Sequence, residues 1–277
     1  MGRARGRDLA TYAAALALAA LFVGPILWLA SLAIRTPQEA LMGAARLVPR
    51  DPTLENLRRV LLDDAFARYL WNAVKLCALG ALGAVLAATP AAYALSRRRF
   101  RGAGALMVGI LTVQMVSPLV LLIPLYRHME RLGLLESHLA VAAVYAALGV
   151  PLSLWLLKAS FDAIPIELEE AAAVDGCRPW RILIFVTLPL AAPGLASAFA
   201  LNTLMGWSQF LVPFVLLSRD DRLPIAVAIF NYAGTTSAST TQLLAAACLL
   251  AVLPALAVFL ALQRVIARAL LTGAVKG

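Results

Sequence analysis

What most constrains this chain is a succession of long apolar runs, at roughly residues 9–34, 69–95, 104–126, 138–158, 183–206 and 242–265. Each reaches the ~20 residues that a helix needs to cross the hydrocarbon core of a bilayer. Backbone in lipid must satisfy its own hydrogen bonds, so runs of this kind are expected to be helical. Composition points the same way: 62% of the 277 residues are hydrophobic, 14% are charged and the mean hydropathy is +0.85. That balance excludes an ordinary soluble domain. The expected fold class is all-α, a polytopic membrane protein of six transmembrane helices forming a single transmembrane domain over residues 1–277. The first run exceeds the 7–15 residue core of a cleavable signal peptide and is expected to be retained. An even number of spans places both termini on one side.

The net charge of +9 would suggest a polyanionic partner in a soluble protein. Here the basic residues gather at the ends of apolar runs, which is a topology signal. Arg97, Arg98, Arg99 and Arg101 form a compact cluster between the second and third runs, whereas loop 35–68 mixes six basic residues with five acids. The compact cluster decides, and both termini are expected in the cytoplasm. Cys77, Cys177 and Cys248 lie far apart and form neither a disulfide framework nor a metal-ligand pattern.

That orientation brings residues 159–182 to the cytoplasm, within a coupling loop of residues 159–189. Pro165 suits the first position of a helix, and Glu167, Glu169 and Glu170 complement its positive end. Gly176 supplies a stop, and Pro179-Trp180 can open a second helix. A helix of two turns is expected, with Leu168, Ala171, Ala172 and Asp175 along one side. Between Lys158 and Arg181 the loop holds three basic and five acidic residues, so anionic headgroups would repel it. Helices that lie on membranes are usually rich in Lys and Arg, so a protein partner is the better reading.

Glu170-Ala171-Ala172, three residues, Gly176, nine residues, Val186, one residue and Leu188-Pro189 together resemble the EAA motif of permease subunits of bacterial ABC importers. Val186 stands where the family prefers Ile. Asp175 before the glycine and the closing Leu271-Thr272-Gly273-Ala274-Val275-Lys276-Gly277 are similar to the maltose-type, carbohydrate-uptake branch, with Ala269 in place of its usual glycine. The resemblance implies that the acidic helix is a coupling helix docking on an ATPase, with Glu170, Ala171, Ala172, Asp175, Gly176 and Pro189 as the coupling residues. It implies as partners a second homologous permease subunit, two copies of an ATP-binding subunit and an extracytoplasmic solute-binding protein. The implied location is the bacterial inner membrane. No cofactor is expected in this chain, ATP and Mg being bound by the partner, because no Gly-x-x-x-x-Gly-Lys-[Ser/Thr] loop occurs in the sequence.

Asn72, Lys75, Tyr93, Gln114, Ser117, Asn202 and Gln209 are the main polar residues within or beside the runs. Such groups mark solute paths or hydrogen bonds between helices, and either role is open for each. Gln114, Asn202, Trp207 and Gln209 are the candidate lining of a translocation path, since a sugar would be met by amides and an aromatic face. Residues 207–213 are expected at its outer mouth, where Pro213 can break a helix. Related permeases carry Trp-Asn where Trp207-Ser208 stands. Pro49 to Leu57 is similar to a family Pro-x-x-x-Thr-x-x-Asn segment, either a contact for neighbours or a plain connection.

The expected function is the permease subunit of an ATP-binding-cassette importer that moves a sugar or related solute into the cytoplasm by alternating access, and not an enzyme. A non-sugar solute such as glycerol phosphate is an alternative. An ion-coupled secondary transporter is another, but no Asp, Glu or His falls in the middle of a run to bind a coupling ion. His128 and His138, with Glu130 and Glu136 between them, match no metal motif and read as solvated loop residues.

Overall fold

A computed structural model describes residues 2–41, 47–98, 101–232 and 240–274, and among these residues it contains helices and turns but no strand. The chain is all-α, as expected. It opens with α1 (Gly2–Ala33), the short α2 (Pro37–Leu41) and α3 (Glu55–Leu61), and then α4 (Asp64–Arg97). Next come α5 (Ala103–Val113), α6 (Pro118–Arg131), α7 (His138–Asp162) and α8 (Glu167–Val174). A short α9 (Pro179–Ile182) runs into a π-helical turn, Leu183–Thr187, and α10 (Leu188–Leu190), followed by α11 (Ala192–Trp207). The rest is α12 (Leu211–Leu216), a 3-10 turn at Asp220–Arg222, α13 (Ile225–Ala228), a second 3-10 turn at Ile229–Tyr232, and α14 (Thr240–Ala274).

Among the described residues, α1, α4, α7 and α14 are long and apolar enough to cross a membrane, and the pair Pro179–Leu190 and Ala192–Trp207, bent by 76°, makes a fifth span if counted as one. The run at 104–126 is not one helix. Ser117 is driven to ψ 126° by the following proline, and Pro118 then starts α6 at the position where its missing N–H has no partner to lose. That leaves α5 with 11 residues, roughly 16 Å of helix against a core of about 30 Å. The bend before α11 has a similar origin, since prolines flank it at Pro189 and Pro193 and Ala191 leaves helical geometry.

By contacts the chain divides into two units, residues 1–67 with 228–254 and residues 68–227 with 255–277. In the first, the amide of Asn56 on α3 donates to the carbonyls of Ala33 and Arg35 at 2.9 and 2.8 Å, capping the end of α1. Thr53 N–H donates to the Ile34 carbonyl at 2.8 Å, and Tyr232 Oη donates to Asp63 at 2.6 Å. The Thr53…Asn56 segment therefore has a role inside the chain.

In the second unit α4, α7 and α11 share a core that includes Val85, Ala88, Leu154, Leu157, Phe161 and Ala198. Small residues let these helices approach closely. A Cβ built on Gly80 would lie 2.5 Å from Cβ of Tyr145, and one on Gly149 would lie 2.1 Å from Oδ1 of Asn202. At one end of the unit, Asn72 donates to the carbonyls of Asp221 and Leu223, and Tyr69 Oη donates to Asp220 at 2.7 Å. His138 Nε2 donates to the Arg222 carbonyl at 2.8 Å. Glu136 accepts from Ser218 and Arg219 N–H, which pins this loop across the start of α7. Tyr69, which falls at the edge of an apolar run in the sequence, is buried in this network.

Candidate functional site

The acidic helix expected around residue 170 is α8, a two-turn element. Its start is two residues later than expected: Ile166 is the capping residue and Pro165 precedes the helix, so the proline ends the incoming segment rather than opening the new one. Ile166 has no side chain that can cap, and the three first-turn glutamates are the groups that complement the positive end. Gly176 closes the helix at φ +83°, a conformation that a Cβ opposes. Its N–H donates to the Ala173 carbonyl and that of Cys177 to the Ala172 carbonyl, at 3.0 and 3.1 Å. This is the Schellman arrangement of a glycine-terminated helix.

Successive residues on a helix lie about 100° apart, so neighbouring glutamates cannot face the same way. Glu167 and Glu170 are exposed, with Ala171, Asp175 and Gly176, while Glu169 is buried. One carboxylate oxygen of Glu169 is 2.9 Å from both Nε and Nη2 of Arg97, in the last turn of α4, and it also accepts from Thr187 Oγ1 at 2.9 Å. The other accepts from Tyr93 Oη at 2.8 Å. Arg97 binds in addition the Ile164 carbonyl and Ser96 Oγ, and Ser96 donates to Asp162 at 2.6 Å. Burial alone would raise the Glu169 carboxyl pKa, but the hydrogen bonds from Arg97, Tyr93 and Thr187 outweigh it and hold the group below its usual range. It is ionised and fully engaged at neutral pH.

Thr187 closes the π-helical turn and is itself fully buried. The extra residue in a π turn shifts side chains out of the regular register, and such turns occur often at functional sites. Pro189 lies just beyond, in α10. From sequence, Glu169 reads only as a helix-end charge and Arg97 only as a topology marker. The signal present there is an acid-rich loop facing an arginine cluster; which of two adjacent glutamates turns inward is set by the phase at which α8 leaves Ile164.

A second feature is a cavity of about 280 Å3 bounded by α4, α7, α11 and the break between α5 and α6. Its lining includes Gln114, Asn202 and Gln209 with Gly80, Tyr145 and Gly149. Three of the four residues expected on a solute path thus meet at one cavity. Trp207 instead closes α11 and lies outside that lining. Asn202 has a structural task as well: its amide donates to Ser153 Oγ on α7 at 2.8 Å and to the Ala198 carbonyl at 2.7 Å. The amide of Gln114 is 3.5 Å from the Leu148 carbonyl, a long contact. Tyr145 Oη points to the Gln209 carbonyl at 3.4 Å. Among the described residues no group of three or more His, Cys, Asp or Glu gathers as a metal site.

Residues 80–272 match the family described as binding-protein-dependent transport system inner membrane component. The chain is 32% identical over 254 residues to the trehalose transport system permease protein SugB of Mycobacterium tuberculosis, covering 91% of this chain and 92% of that one. It is 32% identical over 287 residues to the maltose/maltodextrin transport system permease protein MalG of Vibrio parahaemolyticus, covering 97% and 95%. In structure it is similar to a chain of a bacterial ABC transporter involved in import of the acidic polysaccharide alginate, with a TM-score of 0.79, 25% identity and coverage of 94% and 96%.

Proposed function

The chain belongs to the family of binding-protein-dependent transport system inner membrane components, and from that premise we propose that α8 is the surface through which a partner ATPase drives it. It is the permease subunit of an ATP-binding-cassette importer for sugars, and ATP hydrolysis takes place in a partner subunit. A disaccharide of the trehalose or maltose kind is the solute that the named relatives favour. The full assembly is this chain with a second permease subunit, two ATPase subunits that bind ATP and magnesium, and a soluble binding protein on the far side. Both termini face the cytoplasm, on the side of the Arg97–Arg101 cluster.

The observation that carries this reading is the split within α8. Glu169 fixes the helix to the body of the chain, and its exposed side offers Glu170, Ala171 and Asp175, with Gly176 at its end, to a partner. Small side chains there permit close seating in a cleft, and Glu170 supplies a charge for a basic residue of the ATPase. Pro189 lies in α10, directly after the π-helical turn that packs against α8. Solute then passes by alternating access, in which closure of the ATPase pair tilts the spans and reopens the path on the other face. The cavity beside Gln114, Asn202 and Gln209 is part of that path, its amides suited to sugar hydroxyls.

The test is Glu170→Lys in the assembled importer. The variant is expected to insert in normal amounts and lose coupled uptake of radiolabelled trehalose or maltose. Wild-type uptake by that variant would exclude α8 as the drive surface.

A further inference from the structure

The covalent neighbours of α8 are α7 on one side and α9 with α11 on the other. A push on α8 reaches those spans along the chain itself. It reaches the end of α4, 72 residues earlier in sequence, only through non-covalent contacts. Those contacts converge on Glu169, whose two oxygens accept from Arg97 and Tyr93 of α4 and from Thr187 of the π-helical turn. The Arg97 and Glu169 side chains are 13% and 9% exposed, so salt screens the pair little. Arg97 extends the junction to the Ile164 carbonyl in the segment leading into α8. A carboxylate that needed only to be neutralised would be satisfied by the arginine. Two further hydroxyl donors, one from α4 and one from the π-helical turn, fix its direction.

We propose that Glu169 is a positioning residue that locks α8 to the last turn of α4 and to the π-helical turn, so that one movement of the coupling helix shifts α4 and α11 together. The inference rests on α8 being the drive surface and adds the route by which its motion enters the bundle. The lock makes Arg97, Tyr93 and Thr187 coupling residues although they lie beneath the docking face. Coupling is reciprocal, so the same junction carries the signal of a docked binding protein back to the ATPase.

The experiment uses the complete importer in proteoliposomes, with its binding protein and with trehalose and maltose supplied as probe sugars. The readout is ATP hydrolysis with the binding protein divided by hydrolysis without it, normalised to assembled complex. Glu169→Gln is expected to lower this ratio by about fivefold or more, with hydrolysis itself retained. Thr187→Val and Tyr93→Phe, each removing one neutral hydrogen bond and no charge, are expected to lower it less and in the same direction. A residue that merely holds the fold would reduce the amount of complex and leave the ratio of the assembled fraction unchanged. If Glu169→Gln fails to assemble, the two hydroxyl variants decide. A wild-type ratio in the variants that assemble overturns the lock. Glu170→Lys is run beside them: uncoupling there with wild-type ratios at 93, 169 and 187 removes the lock alone, whereas full coupling in Glu170→Lys removes the drive surface itself.

Discussion

At the scale of single residues, adjacent glutamates in α8 have opposite environments, and their chemistry follows. The Glu169 carboxyl is held below its usual range by Arg97, Tyr93 and Thr187 despite burial. A group depressed in the folded state stabilises it fully above the unfolded value, about 4.3 for Glu, and the gain is lost as pH falls through the folded value. The stability difference between wild type and Glu169→Gln is therefore expected to be constant from pH 8 to about 5.5 and to shrink only in more acid solution, as read from thermal unfolding in detergent. Asn202 offers a contrast of magnitudes. Removing its hydrogen bond to Ser153 in Asn202→Ala is expected to cost about 0.6 kcal/mol, the average for such bonds between membrane helices. Gly149→Val puts a side chain where Asn202 Oδ1 already lies, 2.1 Å from the new Cβ, and overpacking of that kind costs about 1–3 kcal/mol. The glycine variant should be the less stable of the two in the same melting assay; the reverse order would mean that the amide, not the close approach, holds α7 to α11. The sequence marks Asn202 as polar and in a span. It does not show that the amide is occupied by a serine 49 positions away.

At the scale of elements, most of α8 is legible in the sequence. Its glutamates, its length and its glycine stop are local features, and local features survive in a single chain of letters. The two-residue shift that leaves Pro165 outside the helix reflects the ordinary spread of helix ends. Gly176→Ala places a methyl group on a left-handed residue, which costs about 1–2 kcal/mol, with no atom within 4 Å of the added carbon to worsen it. Faster amide hydrogen exchange at Gly176 and Cys177, the two donors of the closing motif, is the expected outcome; unchanged exchange would show that packing, not the glycine, ends the helix. The interruption after α5 is also present in the sequence as Pro118, since a residue before proline avoids helical geometry. Hydropathy hides it, because residues 104–126 are apolar on both sides of the break. The π-helical turn at Leu183–Thr187 has no sequence signal of its own, because Leu183, Ile184, Phe185 and Val186 are all apolar and a shift of register among them leaves no mark in the hydropathy pattern.

At the scale of the whole molecule, the apolar core of α1 has none of its residues buried within the chain, whereas α4 and α7 are half-buried. Lipid or another subunit must cover that surface, and a sequence alone does not distinguish the two. Purified without its partners, the chain is expected to melt at a lower temperature than within the assembled importer, because partner binding stabilises the folded state by mass action. Equal melting temperatures would assign the α1 surface to lipid. The fold class is legible because membrane solvent imposes it, while the cavity is not, because its walls come from four separate stretches of chain. The helix α4 carries Tyr69 and Asn72, bound to the 220–223 loop, near its first residue, and Tyr93 and Arg97, bound to Glu169, at its last turns. Its 34 residues give a continuous rod of about 51 Å, anchored at both ends, with Pro90 as the one proline inside it. A tug on the arginine end has that single soft joint in which to dissipate, and what it does not absorb arrives at the distant loop as tilt.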